Sequence, residues 1–212
     1  MKKIIQFYFL TIAATALVAC GGGTDPVKDA KKENSEKIDS QLQAKQRNDS
    51  LAMSVLPSKD DANFMVNAAS GSMFEVQLGQ LAQSHAKNMR VKDFGEMMVK
   101  DHSEGGEKLK AVAVGKGIVL PDSISRQQQK EKNRLQKMKG SDFDDAYMSM
   151  MTDDHKKDLS EFEKEADKGT NTAIRTFASD NLAMLRKHLD SAISIQKVVV
   201  KKVPSTPIAP PY

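Results

Sequence analysis

The chain has 212 residues, with 32 Lys and Arg against 28 Asp and Glu, a net charge of +4, three Tyr and no Trp. Balanced, scattered charge and little aromatic surface for base stacking argue against a nucleic-acid binder. A single cysteine leaves nothing for a disulfide framework, a thiolate metal cluster or, given where it lies, a cysteine nucleophile.

The first element is a leader. Lys2-Lys3 precedes an apolar run from Ile4 to Val18, too short to span a bilayer comfortably. It closes on Leu17-Val18-Ala19-Cys20-Gly21, a lipobox-like pattern in which cleavage before Cys20 leaves that residue as a lipid-bearing N-terminus. The competing reading is an ordinary signal peptide, residues 1–19, with a chance cysteine after it. With the lipobox, the mature protein is expected to be an envelope lipoprotein. Acyl chains would hold it to the membrane, on the periplasmic side of the outer membrane. Loss of Lys2 and Lys3 takes the net charge from +4 to near +2.

Residues 20–59 are rich in Lys, Asp, Gln, Ser and Asn, which predicts a solvated linker, transiently helical over Gln41 to Met53. At the other end, residues 199–212 carry Pro204, Pro207, Pro210 and Pro211, which favour an extended tail. The foldable core is 60–198.

That core reads as helix nearly throughout. The first stripe runs Phe64, Ala68, Gly71, Glu75, Leu78, Ala82, with Asp60-Asp61 as an acidic start. The second runs Val91, Phe94, Met98, His102, Leu109 and ends near Gly115. Its internal Gly105-Gly106 pair is expected to bend the helix slightly or let a neighbour approach closely. The third runs Phe143, Tyr147, Met151, His155, Phe162, with Ser141 or Asp142 as N-cap and Gly169 as stop. The fourth runs Ile174, Phe177, Met184, His188, Ala192, Ile195. Short links near Lys87-Asn88 and Gly169–Asn171 make two antiparallel hairpins. The stretch from Gly115 to Gly140, with a short helix of its own, is long enough to carry the chain back along the molecule. The expected fold class is therefore all-α: a ferritin-like four-helix bundle with a long crossover between helices two and three. An up-down-up-down bundle with a loose central loop is the alternative.

Glu75, His102 and His155 sit near the middle of their helices, and His188 lies about one turn beyond the middle of the fourth. A residue at mid-length stays at mid-height whichever way its helix runs. Four helices thus send a carboxylate and three imidazoles toward one level of the interior. A buried ionised Glu is costly unless paired or bound to a cation. One Glu with three His suits a single divalent ion such as Zn, Fe, Mn or Cu. The same residues could equally form a hydrogen-bonded polar layer without metal, and the sequence leaves both readings open.

The blocks Phe94-Gly-Glu-Met-Met-Val-Lys-Asp-His102 and Tyr147-Met-Ser-Met-Met-Thr-Asp-Asp-His155 repeat one pattern of aromatic, Met pair and Asp-His. Asp101 and Asp154, each just before a His, either orient an imidazole on a neighbouring helix or pair with Lys100 and Lys156. Met98, Met151 and Met184 each stand one turn before a His, a pattern open to copper ligation or to plain core packing. His85 lies away from this level. No nucleophile triad, phosphate loop or HExxH is present, so catalytic residues are not assigned and a protein partner is not identified.

Asn63-Phe64, Gly71-Ser-Met-Phe-Glu75-Val-Gln-Leu-Gly79, the two Met-x-x-Asp-His blocks and Phe162-Glu-Lys-Glu-Ala166 resemble the bacterial family called domain of unknown function 4142. The resemblance covers about 60–197 and implies a ferritin-like fold and an envelope location, without an established activity. The chain departs from the di-iron ferritin pattern. Val99, Thr152 and Leu185 stand three before the three histidines, where a carboxylate would be needed.

Overall fold

A computed structural model describes residues 24–46 and 56–199. The leader, Cys20 and the Pro-rich stretch from 201 lie outside the described residues, and no described helix is long and apolar enough to cross a membrane. The described chain is all-α: α1 (Pro26–Gln46), α2 (Lys59–His85), α3 (Met89–Lys116), α4 (Arg126–Leu135), α5 (Ser141–Lys168) and α6 (Thr172–Val199).

Local chemistry sets the boundaries. Ser58 caps α2 by accepting from the Asp61 amide, while the Asp61 carboxylate accepts from the Ser58 amide, a reciprocal capping box. Ser125 and Gln128 repeat that device at α4. α3 stops at Gly117, whose φ of 66° suits a residue without a Cβ. The start of α5 corrects one expectation. Its N-cap is Gly140, at φ 65°, with no side-chain cap, because Ser141 is already the first helical residue.

Side-chain contacts give the helix directions. Ser72 Oγ donates to the His102 carbonyl and Gln83 Nε2 to that of Lys92, so α2 and α3 are antiparallel. Arg186 with Glu163, and His188 with His155, make α5 and α6 antiparallel. Across the pairs, Phe64 packs on Phe162 at one end of α2 while Asp144 accepts from the Lys87 and Asn88 amides beyond the other. Asp101 with His188, and Arg90 with Ser194, link α3 to α6 in opposite senses. Consequently α3 and α5 run the same way, and the connection bearing α4 carries the chain back between them.

α1 overturns the reading of residues 20–59 as wholly solvated linker. It packs on α2, burying Ala30, Asn34 and Ile38. Asn34 exchanges two hydrogen bonds of 2.8 Å with the backbone of Val119, and Asp25 accepts from the Arg126 amide. One buried side chain per turn, the central one polar, makes no apolar stripe wide enough to read against so much Lys and Glu.

The closest helix approach is also not where the sequence pointed. A Cβ on Gly105 or Gly106 would meet its nearest neighbour at 3.9 or 3.5 Å, ordinary contact. On Gly79 it would lie 2.5 Å from the Gly95 carbonyl, and on Gly95 2.8 Å from Ala82 Cβ. We expect Gly79→Ala to destabilise: overpacking costs about 1–3 kcal/mol, against roughly 1 kcal/mol gained in helix propensity. Gly115→Ala, with nothing within 4 Å, should gain stability instead. Thermal melts of both variants check this; equal shifts would mean that α2 and α3 are not in tight contact.

Two apolar clusters fill the interior. One contains Leu78, Phe94, Met98, Tyr147 and Met151, the other Phe64, Met65, Leu109, Ile174 and Phe177. In α3, α5 and α6 a histidine falls between residues of the two clusters, and Glu75 joins them from α2. The polar level is therefore an interruption of the core.

Candidate functional site

Glu75 (α2), His102 (α3), His155 (α5) and His188 (α6) meet at this level and are 2%, 6%, 0% and 0% exposed. The three imidazole centroids are 5.3–5.8 Å apart, and one ring nitrogen of each lies within 4.8 Å of the other two.

The opposite ring nitrogens determine where the protons sit. His188 Nε2 lies 2.9 Å from Asp101 Oδ2, which only accepts, so the proton is on Nε2 and Nδ1 is bare. His155 Nδ1 lies 2.9 Å from the Met151 carbonyl and 3.4 Å from Glu75 Oε1, two acceptors, so Nε2 is bare. His102 Nδ1 faces Glu75 Oε2 at 2.8 Å, which leaves Nε2 bare in the neutral ring. His155 Nε2 and His188 Nδ1 then confront each other at 3.4 Å, lone pair against lone pair. His102 Nε2 is buried with no partner at all. Outer carboxylates and a carbonyl that fix the tautomer, with inner nitrogens free, is how proteins orient imidazoles toward a metal ion. Two nitrogens sharing a tetrahedral ion at about 2.1 Å stand about 3.4 Å apart. The His155–His188 pair already has that separation.

Electrostatics favour the neutral ring with a bare nitrogen at His188 and work against it at His102. Burial opposes a charge on His188, and the His102 and His155 rings add to it, pushing its pKa down to about 4 despite Asp101. His102 is buried too, but the Glu75 carboxylate outweighs that and raises it. Glu75 is penalised by burial, yet His102 and His155 hold it well below the usual carboxylate range. Glu75 makes no hydrogen bond of good geometry with either oxygen; its contacts are the ion pairs to those two rings.

Of the two flanking aspartates, Asp101 holds an imidazole of an adjacent helix, and Asp154 does not. Asp154 turns away from the rings into a cleft of about 670 Å³ between α2, α4 and α5, where Asp158 stands one turn further along. Burial, then the Glu75 charge, pushes Asp154 up to about 6 and Asp158 well above its usual value. Met98 and Met151 belong to the apolar core, whereas Met184 lines a chamber of about 30 Å³ beside His102 and Glu75. His85 sits apart, with Nδ1 2.8 Å from Ser84 Oγ and Nε2 3.2 Å from the Gln136 carbonyl.

Two residues escaped the sequence reading. Tyr147 is fully buried with an unpartnered hydroxyl, its pKa pushed up by burial and then by Glu75. The duplicated block held the clue, since Tyr147 aligns with Phe94 and differs by that hydroxyl. Asp158 was legible only as the residue four after Asp154.

The family described as "Domain of unknown function (DUF4142)" matches residues 42–195. No curated protein matches. Among solved structures, the chain is similar to the crystal structure of a DUF305 fragment from Deinococcus radiodurans, at 10% identity and a TM-score of 0.60. The match covers 68% of this chain and 99% of that one. At this identity the likeness concerns fold alone.

Proposed function

For this chain, which belongs to the domain of unknown function 4142 family, we propose a non-enzymatic role: binding one divalent metal ion through His102, His155 and His188. The observation that carries it is the convergence of three buried ring nitrogens whose outer partners leave their lone pairs facing inward. Glu75 and Asp101 orient the rings and supply negative charge rather than lead as ligands. Three neutral imidazoles suit Zn or Cu better than the harder Mn. An oxygen-activating di-iron centre is disfavoured by the absence of the Glu-x-x-His pairs.

The finer reading of the fold is ferritin-like: the long helices α2, α3, α5 and α6 form a four-helix bundle, with α4 on the crossover. Supporting it are the two antiparallel pairs and the parallel relation of α3 and α5. The lipobox pattern at Leu17 to Gly21 supports an envelope lipoprotein anchored through Cys20.

One observation favours a rival reading. Glu75 pairs with both His102 and His155, so the level could be a metal-free polar layer that gives the core a unique register. Metal analysis of purified protein after equilibration with Zn²⁺ and removal of free ion separates the two. We expect about one ion per chain in the wild type and none in the triple variant His102→Ala/His155→Ala/His188→Ala. Equal content in both overturns the metal reading.

A further inference from the structure

The polar level has two unlike approaches. On one side, the cleft between α2, α4 and α5 is lined by Glu75, Glu131, Asp153, Asp154, Asp158 and Glu161, against Arg134 and Lys157. Both bases are engaged, Arg134 with Glu131 at 2.9 Å and Lys157 with Glu161 at 3.7 Å, and Asp153 at the exposed rim pairs with Lys156. Among the described residues Asp154 and Asp158 have no Lys or Arg in ion-pair contact, and Glu75 pairs only with His102 and His155. Asp154 and Asp158 are one helical turn apart on α5, so their side chains follow one another along a single face.

Glu75 and Asp158 also line the small chamber on which His102 borders. Its volume of about 30 Å³ is room enough for a water molecule or an ion. The two carboxylates thus stand at the threshold between the open cleft and the interior, and His102 Nε2, buried and unpartnered, lies on the inner side. On the opposite side, a groove of about 700 Å³ also reaches His102, but its walls are largely apolar: Met73, Val76, Leu109, Ala113, Ile118 and Leu120. A hydrated cation gains little from such walls, where Glu107 is the one acid and Lys110 stands beside it, and much from a line of carboxylates that replace its water one contact at a time.

We propose that the acidic cleft is the access route for the metal ion, with Asp154 and Asp158 passing a divalent cation inward across Glu75 to the three histidines. This rests on the reading of those histidines as a metal centre. The acidic excess of the whole lining, six carboxyl groups against two bases, raises the local cation concentration and therefore the association rate, while Asp154 and Asp158 offer the oxygens that hand the ion inward. It speeds escape by the same path, since a route lowers the barrier in both directions. Asp154 and Asp158 accordingly govern kinetics, while His102, His155 and His188 govern affinity.

Stopped-flow binding of Co²⁺ to purified protein, followed by its visible absorption, tests this. We expect the wild-type association rate to fall about tenfold between low and high salt. The double variant Asp154→Asn/Asp158→Asn should associate about tenfold more slowly at low salt, show a weaker salt dependence and keep its dissociation constant within about threefold. Asp158→Asn alone, which preserves shape, should show a smaller slowing and guards against misfolding of the double variant. Gly106→Leu, which projects into the apolar groove where a Cβ meets nothing closer than 3.5 Å, should leave the rate unchanged. Wild-type kinetics in the aspartate variants, or slowing by Gly106→Leu alone, overturns the route while the centre stands. A wild type that binds no Co²⁺ overturns the centre and the route with it.

Discussion

Free Zn²⁺ at a hundred times its dissociation constant should raise the folding stability of the wild type by about 2.7 kcal/mol, because only the native state gathers the three imidazoles. For a domain of this size each kcal/mol moves the melting temperature by about 2–4 °C, so the expected shift is roughly 5–10 °C. Chelator should reverse it. His155→Ala and His188→Ala should abolish it, since each removes one of two nitrogens that already stand 3.4 Å apart. In the absence of metal the same variants behave differently. His188→Ala leaves Asp101 without its partner but removes a confrontation of lone pairs, so its metal-free stability should fall by less than the wild-type gain on metal binding. A metal-free polar layer predicts the opposite pattern: melting indifferent to metal and chelator, and a large loss in every His→Ala variant. Differential scanning calorimetry in the two conditions decides between them.

The constellation could be read in the sequence because a helix is a ruler. Equal distance from the ends places Glu75, His102 and His155 at equal height, and a period of 3.6 turns them toward one axis. What lay beyond the ruler was the azimuth of residues at the edge of a stripe. Asp101 and Asp154 occupy equivalent places in the duplicated blocks, each 100° from its histidine. α3 and α5 have different neighbours, however, so the same step brings Asp101 onto His188 of α6 and Asp154 into the cleft beside α4.

Packing contacts were hidden for a different reason. Gly105-Gly106 attracts attention as a pair, while the crossing of α2 and α3 rests on Gly79 and Gly95, single glycines in different helices, whose juxtaposition depends on register. α1 was obscured by composition: among the described residues its buried face is Ala30, Asn34 and Ile38, and the anchor among them is an amide.

Glu75→Gln should separate ligand from orienting roles more sharply than any histidine variant. The amide keeps the shape and an oxygen that can accept from His102 Nδ1, but loses the charge that pairs with two rings. As an outer partner, Glu75 should then be worth about 10–100-fold in metal affinity at pH 7.5. A directly coordinating Glu75 would instead make Glu75→Gln as damaging as His155→Ala. The pH profile supplies an independent sign. Burial lowers the basicity of His102 and the Glu75 carboxylate more than restores it, so in the wild type protons compete with the metal for this ring from above its ordinary pKa. Without the carboxylate, only the smaller influence of Asp101 opposes burial, and that competition moves to lower pH. Metal affinity should therefore be weaker in Glu75→Gln at pH 7.5 yet decline less steeply as pH falls toward 6, and the two curves should converge. Competition titrations against a chelator of known affinity, run across that interval, would show it. Curves that stay parallel would mean that the carboxylate does not govern the His102 proton, and the tautomer argument that aims this ring at the metal would fail with it.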